Sequence, residues 1–302
     1  MRHIIVPEDL SAHEVETVFA VAHDLQTKYE AGRRDPLLPG RVLALVFEKP
    51  SLRTRVSFEA GMVHLGGSSL FLGEDTGFAS SRESIADFAR VLSEYVDAIV
   101  CRSKAHDTIV QMAAAAEVPV INGLSDYCHP CQALADIYTL KRHVGRVAGH
   151  TLTFIGDGNN VARSLALLCG LLGMRFVLAA PKGYQFDAAF RGHLRKAVPN
   201  AAIEETTDPV AAVKGAAAVY TDVWTSMGQE KERAARLDAL RPYQVNEALM
   251  KHCPDALFMH CLPARRGEEV TDAVIDGPQS VVVEEAANRM HVQKGLLAWL
   301  LQ

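Results

Sequence analysis

The sequence predicts an α/β fold with two doubly wound parallel-sheet domains joined by long helices. Short apolar runs alternate with longer segments of helical periodicity, which is typical of strand and helix units in a parallel sheet. The 302 residues exceed what a single core of about 100–150 residues needs. Hydrophobic residues make up 49% and charged residues 22%, as in an ordinary globular protein.

The individual elements follow in chain order. In the first half, apolar runs predict strands at residues 42–47, 69–72, 98–101 and 118–121. Helical periodicity predicts an opening helix at 11–31 and further helices at 53–65 and 83–95. In the second half, strands are predicted at 152–155, 176–179, 218–221, 257–260 and 281–283, and helices at 161–172 and 285–301.

The domain boundary is predicted at a linking helix, residues 131–143, which a loop through Gly145 and Gly149 follows. We expect residues 1–136 to form one domain, on which a closing helix at 286–302 packs back. Residues 137–285 then form the second domain. Ligands of such folds bind beyond the carboxyl ends of the strands, so the functional residues are expected there.

Charge and hydropathy exclude several classes of protein. The formal net charge of -5 argues against nucleic-acid binding, which normally requires a basic excess. No apolar run approaches the roughly 20 residues of a membrane helix. The N-terminus lacks the apolar stretch and cleavage site of a signal peptide, and the six cysteines are scattered rather than arranged as a disulfide framework. These features predict a cytoplasmic protein.

The segment from Ser51 to Arg55 (Ser-Leu-Arg-Thr-Arg) follows a predicted strand and opens a helix. Ser51 is a natural N-cap residue, so the segment could simply start a solvated helix. A helix N-terminus also presents free N–H groups to an anion, and hydroxyl and guanidinium groups are suitable phosphate donors. Both interpretations remain open from the residues alone.

In the first half of the chain, candidate functional residues also follow two further predicted strands. Arg102 follows a predicted strand and could be an ordinary surface arginine. His129, in His-Pro-x-Gln ahead of the linking helix, could donate to an anionic oxygen or be structural. Cys128 and Cys131 form a C-x-x-C that suggests zinc or redox chemistry, with the pairs His252-Cys253 and His260-Cys261 as possible further ligands. No second C-x-x-C is present, so we expect neither a metal nor a redox cofactor.

In the second half, Gly156 and Gly158 imitate a dinucleotide-binding loop, but Val161 occupies the third glycine position. The expected acidic residue about 20 positions later is also missing, which argues against a nicotinamide cofactor. The adjacent Asn159 and Asn160 could form a turn or bind a substrate carboxylate or amine. Asp222 could bind an ammonium group or cap a turn. Cys261 could line a functional crevice or be an inert buried thiol.

Taken in order, these segments resemble the aspartate/ornithine carbamoyltransferase superfamily over nearly the whole chain. Ser-x-Arg-Thr-Arg at 51–55 and His-Pro-x-Gln at 129–132 are similar to motifs of the whole superfamily. Three others resemble the ornithine branch: Asp-x-Trp-x-Ser-Met-Gly at 222–228, His-Cys-Leu-Pro at 260–263 and Glu-Ala-Ala-Asn-Arg at 285–289. The resemblance implies transfer of a carbamoyl group from carbamoyl phosphate to the δ-amine of L-ornithine, giving L-citrulline and phosphate, as in arginine biosynthesis.

The resemblance also implies roles for individual residues. Carbamoyl phosphate would be bound by Ser51, Leu52, Arg53, Thr54, Arg102, His129, Gln132, Cys261, Leu262 and Arg289. L-Ornithine would be bound by Asn160, Asp222, Ser226 and Met227. Arg102, His129 and Cys261 are expected to be catalytic. The resemblance further implies a homotrimer, and because carbamoyl phosphate already carries a good leaving group, no cofactor is expected.

Two positions depart from the family pattern: Leu52 replaces a common threonine, and Arg82 stands where the aspartate branch has lysine. Either the departing phosphate or a Cys261 thiolate could assist removal of the proton from ornithine. A related transferase acting on putrescine or an N-acylated ornithine is one alternative, against which Asp222 and the Ser-Met-Gly turn argue. A catalytically silent binding protein is another, and the intact Arg53 and Arg102 argue against it.

Overall fold

The computed structural model describes residues 1–73, 83–225 and 230–302. Within it the chain divides into two compact units. The first comprises Met1–Ala135 together with Ala287–Gln302, and the second comprises Asp136–Ala286. Each unit is an α/β structure with a parallel sheet, as the sequence predicts.

The first unit contains a parallel sheet in the order β2-β1-β3-β4. Its strands are β1 (Val42–Phe47), β2 (Ser68–Leu72), β3 (Ala98–Arg102) and β4 (Val120–Leu124). Its helices are α1 (Ala12–Glu30), α2 (Leu52–His64), α3 (Ile85–Ser93) and α4 (His106–Ala115). The central strands β1 and β3 are buried almost throughout, because helices cover both faces of such a sheet.

Two long helices contain the unit boundaries: α5 (Pro130–Val144) and α12 (Val282–Leu301). The C-terminal part of α12 returns to the first unit and packs against α1. A Cβ atom placed on Gly295 would lie 2.7 Å from the carbonyl oxygen of Val18, so the two helix backbones approach too closely for any side chain. Gln26 of α1 also donates a 3.3 Å hydrogen bond to Asn288 of α12.

The second unit contains a parallel sheet in the order β7-β6-β5-β8-β9. Its strands are β5 (Thr151–Ile155), β6 (Arg175–Ala179), β7 (Ala202–Thr206), β8 (Ala218–Thr221) and β9 (Leu257–His260). Its further helices are α6 (Asn160–Leu171), α7 (Ala188–Ala197), α8 (Pro209–Val213), α9 (Arg233–Leu240), α10 (Glu247–Met250) and α11 (Asp272–Ile275). Within the described ranges, no helix has the length and apolar content that crossing a bilayer requires.

Three sequence predictions of strands need correction. The predicted strand at 281–283 is wrong: α12 begins at Val282, and Ser280 makes only an isolated bridge to Phe258. The valines there imitate a strand, but acidic residues in the first helical turn favour a helix start. Strand β7 was not predicted because it is a partly exposed edge strand with two glutamates. Strand β4 begins at Val120, after Pro119, rather than at 118.

The strand orders determine where loops converge. In the first unit the order reverses between β1 and β3, and in the second unit between β5 and β8. At such a switch point the loops leave the two neighbouring strands in opposite directions and open a crevice at the carboxyl ends. The loops after β1 and β3, and those after β5 and β8, carry most of the residues that the sequence singled out.

Candidate functional site

In the first unit, the loops after β1 and β3 are tied together by Glu48. Its carboxylate accepts a 2.6 Å hydrogen bond from the Ser103 hydroxyl and another of 2.6 Å from the backbone N–H of Lys104. The backbone N–H of Glu48 in turn donates to the carbonyl of Arg102 at 2.9 Å. These bonds fix the geometry at the switch point.

Helix α2 begins directly beyond this junction. The Ser51 hydroxyl accepts a hydrogen bond from the Thr54 backbone N–H at 3.4 Å, so Ser51 is indeed the N-cap. Leu52 is 75% exposed, whereas Thr54 is fully buried. The side chain of Leu52 has no hydroxyl group. Only the backbone N–H of this residue could therefore donate a hydrogen bond to an anion at the start of the helix.

Three arginines converge next to this helix start. Arg289 of α12 donates a 2.8 Å hydrogen bond to the Thr54 hydroxyl, and Arg102 at the end of β3 is only 7% exposed. Burial, together with the like charges of Arg289 and Arg53, lowers the pKa of Arg102 to about 10. In the part of the chain that the structure describes, no carboxylate pairs with Arg102 and its Nε has no hydrogen-bond partner.

A buried guanidinium without a counter-charge is unfavourable unless an anion neutralises it. The burial of Arg102 excludes the surface-arginine interpretation that its sequence position left open. Arg53 is half-buried at the rim of the same cluster. The first unit therefore holds a set of cations suited to a multiply charged anion such as a phosphate.

His129 and Gln132 lie at the start of α5, also in the first unit, and both are buried. Burial lowers the pKa of His129 well below its ordinary value, and the charges of Arg289 and Arg102 lower it further. The imidazole is therefore neutral at physiological pH. A neutral imidazole beside arginines can donate one N–H to a polar oxygen without adding charge.

In the second unit, the loops after β5 and β8 are joined by Asn159 and Asp222. The Asn159 side chain caps α6 by accepting from the N–H groups of Val161 and Ala162, both at 3.0 Å. Its amide also donates to the Asp222 carboxylate at 2.8 Å. Asn160 is the first residue of α6 and is half-buried.

Cys261, directly after β9, donates its thiol to the other oxygen of Asp222 at 3.1 Å. Burial raises the pKa of Cys261 well above its ordinary value, and the carboxylate of Asp222 adds to the rise. The thiol is therefore protonated at physiological pH, which argues against the thiolate that the sequence left open as a proton acceptor. Cys261 is half-buried, whereas the other five cysteines are buried.

Leu262 has a backbone φ of 55°, which is unusual for a branched residue. Its N–H donates to Nδ1 of His260 at 2.9 Å, and Nε2 of His260 contacts Glu269 at 3.2 Å. Ligand atoms of Asp222, His260 and Cys261 lie within 4.8 Å of one another, close enough to surround a metal ion. Because both ring nitrogens of His260 are already engaged, this group is a poor fit for a metal.

Two other sequence patterns have structural explanations. A Cβ atom at Gly158 would lie 3.0 Å from the Phe186 ring, closer than ordinary van der Waals contact, so packing favours this glycine whether or not a nucleotide binds. The thiols of the C-x-x-C donate separately, Cys128 to the Ile5 carbonyl at 3.3 Å and Cys131 to the Asn122 carbonyl at 3.5 Å. Burial raises the pKa of Cys131 to about 12, unlike that of a reactive thiol.

Three residues that the sequence singled out are not described by the structure, and two contacts in the second unit were not predicted from the sequence. Ser226, Met227 and Arg82 lie outside the described residues. The role of Asn159 in holding Asp222 was not predicted, because the two residues are 63 positions apart. The buried Arg236 was also missed; it forms an ion pair with Asp157. The adjacent asparagines Asn159 and Asn160 were the only sequence signal for the contact between Asn159 and Asp222.

Taken separately, the two units have the chemistry of a transferase for small charged substrates: one carries buried cations, and the other a carboxylate beside amide and thiol groups. The chain belongs to the aspartate/ornithine carbamoyltransferase family. The carbamoyl-P binding domain of that family matches residues 2–142, and its Asp/Orn binding domain matches residues 148–300.

Individual relatives are similar over the full length. The chain is 49% identical to the ornithine carbamoyltransferase of Pyrococcus abyssi over 306 residues, covering 99% of this chain and 96% of that protein. It is 48% identical to the anabolic ornithine carbamoyltransferase of Pyrococcus furiosus, covering 99% and 96%. The solved structure of ornithine carbamoyltransferase from Pyrococcus furiosus superposes with a TM-score of 0.95 at 48% identity, covering 99% of this chain and 97% of that one.

Proposed function

We infer that the chain is an ornithine carbamoyltransferase. It transfers the carbamoyl group of carbamoyl phosphate to the δ-amine of L-ornithine and yields L-citrulline and phosphate, a step of arginine biosynthesis. The observation that carries this inference is the buried Arg102, which has Arg289 and Arg53 as charged neighbours and no carboxylate partner among the described residues. Family membership and the anabolic relative from Pyrococcus furiosus support it.

The residues of the first unit are proposed to bind carbamoyl phosphate. Phosphate oxygens are bound by Ser51, Arg53, Thr54 and the backbone N–H of Leu52, where the helix dipole favours an anion. The other proposed ligands are Arg102, His129, Gln132 and Arg289. Arg102 bridges the phosphate and the carbonyl oxygen. His129, being neutral, donates to the carbonyl oxygen without repelling the arginines.

The residues of the second unit are proposed to bind ornithine. The Asp222 carboxylate attracts an ammonium group, and Asn160 supplies amide hydrogen bonds to the α-carboxylate. Ser226 and Met227 complete this set by the family resemblance. Cys261 and Leu262 are proposed to line the reacting centre, with Cys261 contributing a neutral thiol.

The reaction needs electrostatic stabilisation rather than a cofactor. The δ-nitrogen attacks the carbonyl carbon, the bond from that carbon to the phosphate oxygen breaks, and the nitrogen loses a proton. Negative charge builds on the carbonyl oxygen, and each preorganised donor aimed at it typically contributes about 3–4 kcal/mol. Arg102, His129 and Thr54 are the proposed donors. The departing phosphate can accept the proton that the amine loses.

The decisive experiment is a citrulline assay with purified protein, in which carbamoyl phosphate is saturating and the amine varies. Ornithine should exceed putrescine by up to roughly 10⁴-fold in kcat/KM, because putrescine lacks the carboxylate that Asn160 pairs with. Lysine should bind but react slowly, because its amine lies one methylene too far. If the protein preferred putrescine or an N-acylated ornithine, that amine rather than ornithine would be its substrate. Absence of any carbamoylated product would refute the inference as a whole.

The proposal also covers the oligomeric state of the protein and its cellular compartment. We expect a homotrimer, as family resemblance implies, and light scattering should give three times the 32.9 kDa chain mass. All six cysteines are free thiols in the structure, as in proteins of a reducing compartment such as the cytoplasm.

A further inference from the structure

A pair of buried carboxyl groups lies behind the Cys261 loop in the second unit. Asp136 of α5 and Glu285 of α12 are both fully buried, and a side-chain hydrogen bond joins them. Asp136 is the first residue of this unit and Glu285 lies one position before its last, so the pair sits where both connecting helices enter it. Neither residue touches the substrates in the proposed mechanism.

Glu285 also connects the ends of two strands. Its Oε1 accepts a hydrogen bond from the Tyr220 hydroxyl at 3.2 Å, and its Oε2 accepts one from the His260 backbone N–H at 2.9 Å. Tyr220 belongs to β8 and His260 to β9, which are neighbours in the sheet. Cys261 follows His260 directly, so Glu285 holds the backbone next to Cys261. It also binds the side chain of Tyr220, two positions before Asp222.

Charge balance requires a proton at this place. Asp136, Glu285 and Asp222 all influence the Cys261 thiol, and Tyr220, Cys169 and the His260 ring are further titratable groups close to them among the described residues. Two buried carboxyl groups that share a hydrogen bond cannot both be ionised, because one must donate and because like charges repel strongly in a nonpolar environment. Burial raises the pKa of Glu285 well above its ordinary value, and Asp136 adds to the rise.

We propose that Asp136 and Glu285 share a single proton and act as positioning residues, fixing the end of β9 and thereby the place of the Cys261 thiol. With one proton, the pair satisfies its internal hydrogen bond while Glu285 still accepts from Tyr220 and His260. The kinetic part of this proposal rests on the proposed function. The state of the proton and the reactivity of Cys261 can be measured whether or not the protein makes citrulline.

Infrared spectroscopy tests the proton. At pH 7 the wild-type protein should show the carbonyl band of a protonated carboxyl group, and the band should disappear in Asp136→Asn and in Glu285→Gln. In either variant the new amide supplies the donor, so the remaining carboxyl group can ionise. Absence of the band from the wild type, or its persistence in both variants, would show that no proton is shared.

Kinetics and alkylation test the positioning role. Glu285→Ala removes the acceptor of the His260 N–H, so kcat should fall on the order of 10²-fold, as small displacements near a reacting centre do. The binding constant for carbamoyl phosphate should change far less than kcat, because most of its proposed ligands belong to the first unit. Cys261, the one half-buried cysteine of the six, should react faster with iodoacetamide. Asp136→Asn and Glu285→Gln should retain most of the activity, because both preserve hydrogen bonding.

Thr153→Val is the matched control. It removes another buried hydrogen bond of the second unit, from the Thr153 hydroxyl to the Ala212 carbonyl at 2.8 Å. It should lower stability without changing kcat or the alkylation rate of Cys261. Normal kcat and normal alkylation in Glu285→Ala would overturn the proposal, as would a loss in Asp136→Asn equal to that in Glu285→Ala. If Glu285→Ala does not fold, Asp136→Asn and Glu285→Gln test the proposal instead. Loss of activity in these two variants would overturn the proposal.

Discussion

Among single residues, Arg53 and Arg55 have the same side chain on the same turn of α2 but different surroundings. Arg53 is close enough to Arg102 to lower its pKa, which places it in the cationic cluster. Arg55 pairs with Glu59 at 3.0 Å and lies over the Phe71 ring at 3.8 Å. The charge of Arg53 is therefore available to the proposed phosphate site, whereas the charge of Arg55 is compensated by Glu59.

We predict that Arg53→Ala raises the KM for carbamoyl phosphate and lowers kcat, because it removes a charged donor to the phosphate. Loss of a charged hydrogen bond corresponds to about 1.5–3 kcal/mol, or roughly 10- to 150-fold in kcat/KM. Citrulline synthesis at subsaturating carbamoyl phosphate measures the effect. Arg55→Ala is the control and should stay near wild type. Equal losses in the two variants would mean that the whole helix start, rather than Arg53, is responsible.

His129 provides a second prediction at this scale, because its pKa is lowered in the folded protein. The unfolded chain binds a proton below the ordinary pKa of about 6.5, whereas the folded state does not. The contribution of His129 to stability is therefore present above pH 6.5 and is lost as the pH falls, by up to about 1.4 kcal/mol per unit. Urea unfolding at pH 7.5 and 5.5 should show a smaller pH-dependent loss in His129→Gln than in the wild type. Identical pH dependence would mean that the pKa of His129 is the same in the folded and unfolded states.

At the scale of elements, helix starts serve two purposes in this protein. Asn159 caps α6 and also donates to Asp222, so one side chain both stabilises a helix and orients a proposed ornithine ligand. Asp208 caps α8 by accepting from the Ala211 N–H at 3.0 Å, away from the Asp222 loop in sequence. The two caps make the same kind of local bond in different settings.

We predict that Asn159→Ala lowers stability by about 1 kcal/mol through loss of the cap and also raises the KM for ornithine. Asp208→Ala should lower stability by a similar amount and leave the KM for ornithine unchanged. Thermal unfolding and steady-state kinetics separate the two effects. An unchanged KM in Asn159→Ala would show that Asp222 keeps its orientation without this amide.

At the scale of the whole molecule, the proposed carbamoyl phosphate ligands at 51–54, 102, 129, 132 and 289 belong to the first unit. Carbamoyl phosphate should therefore bind in the absence of ornithine. At 100 times its dissociation constant it should stabilise the protein by about 2.7 kcal/mol. Unfolding followed with and without carbamoyl phosphate measures this, and Arg53→Ala should lose most of the shift at the same ligand concentration. No stabilisation of the wild type without ornithine would contradict the assignment.

The sequence by itself determined what depends on neighbours along the chain. Apolar runs predicted the central strands β1 and β5, because strands covered on both faces are continuously hydrophobic. The cap at Ser51 depends on a hydroxyl three positions before an N–H, which is readable locally. The five motifs, by their resemblance, indicated the family that the comparisons confirm.

Tertiary structure decided what depends on residues distant in sequence. Arg289 donates a hydrogen bond to Thr54, which lies 235 positions earlier in the sequence. Only the folded structure shows that Arg102 is buried among cations rather than exposed. The edge strand β7 and the helical start at Val282 depend on packing partners that local propensity does not contain. The same holds for the proton shared by Asp136 and Glu285, because burial and a second carboxyl group, not the residues' own chemistry, determine their ionisation.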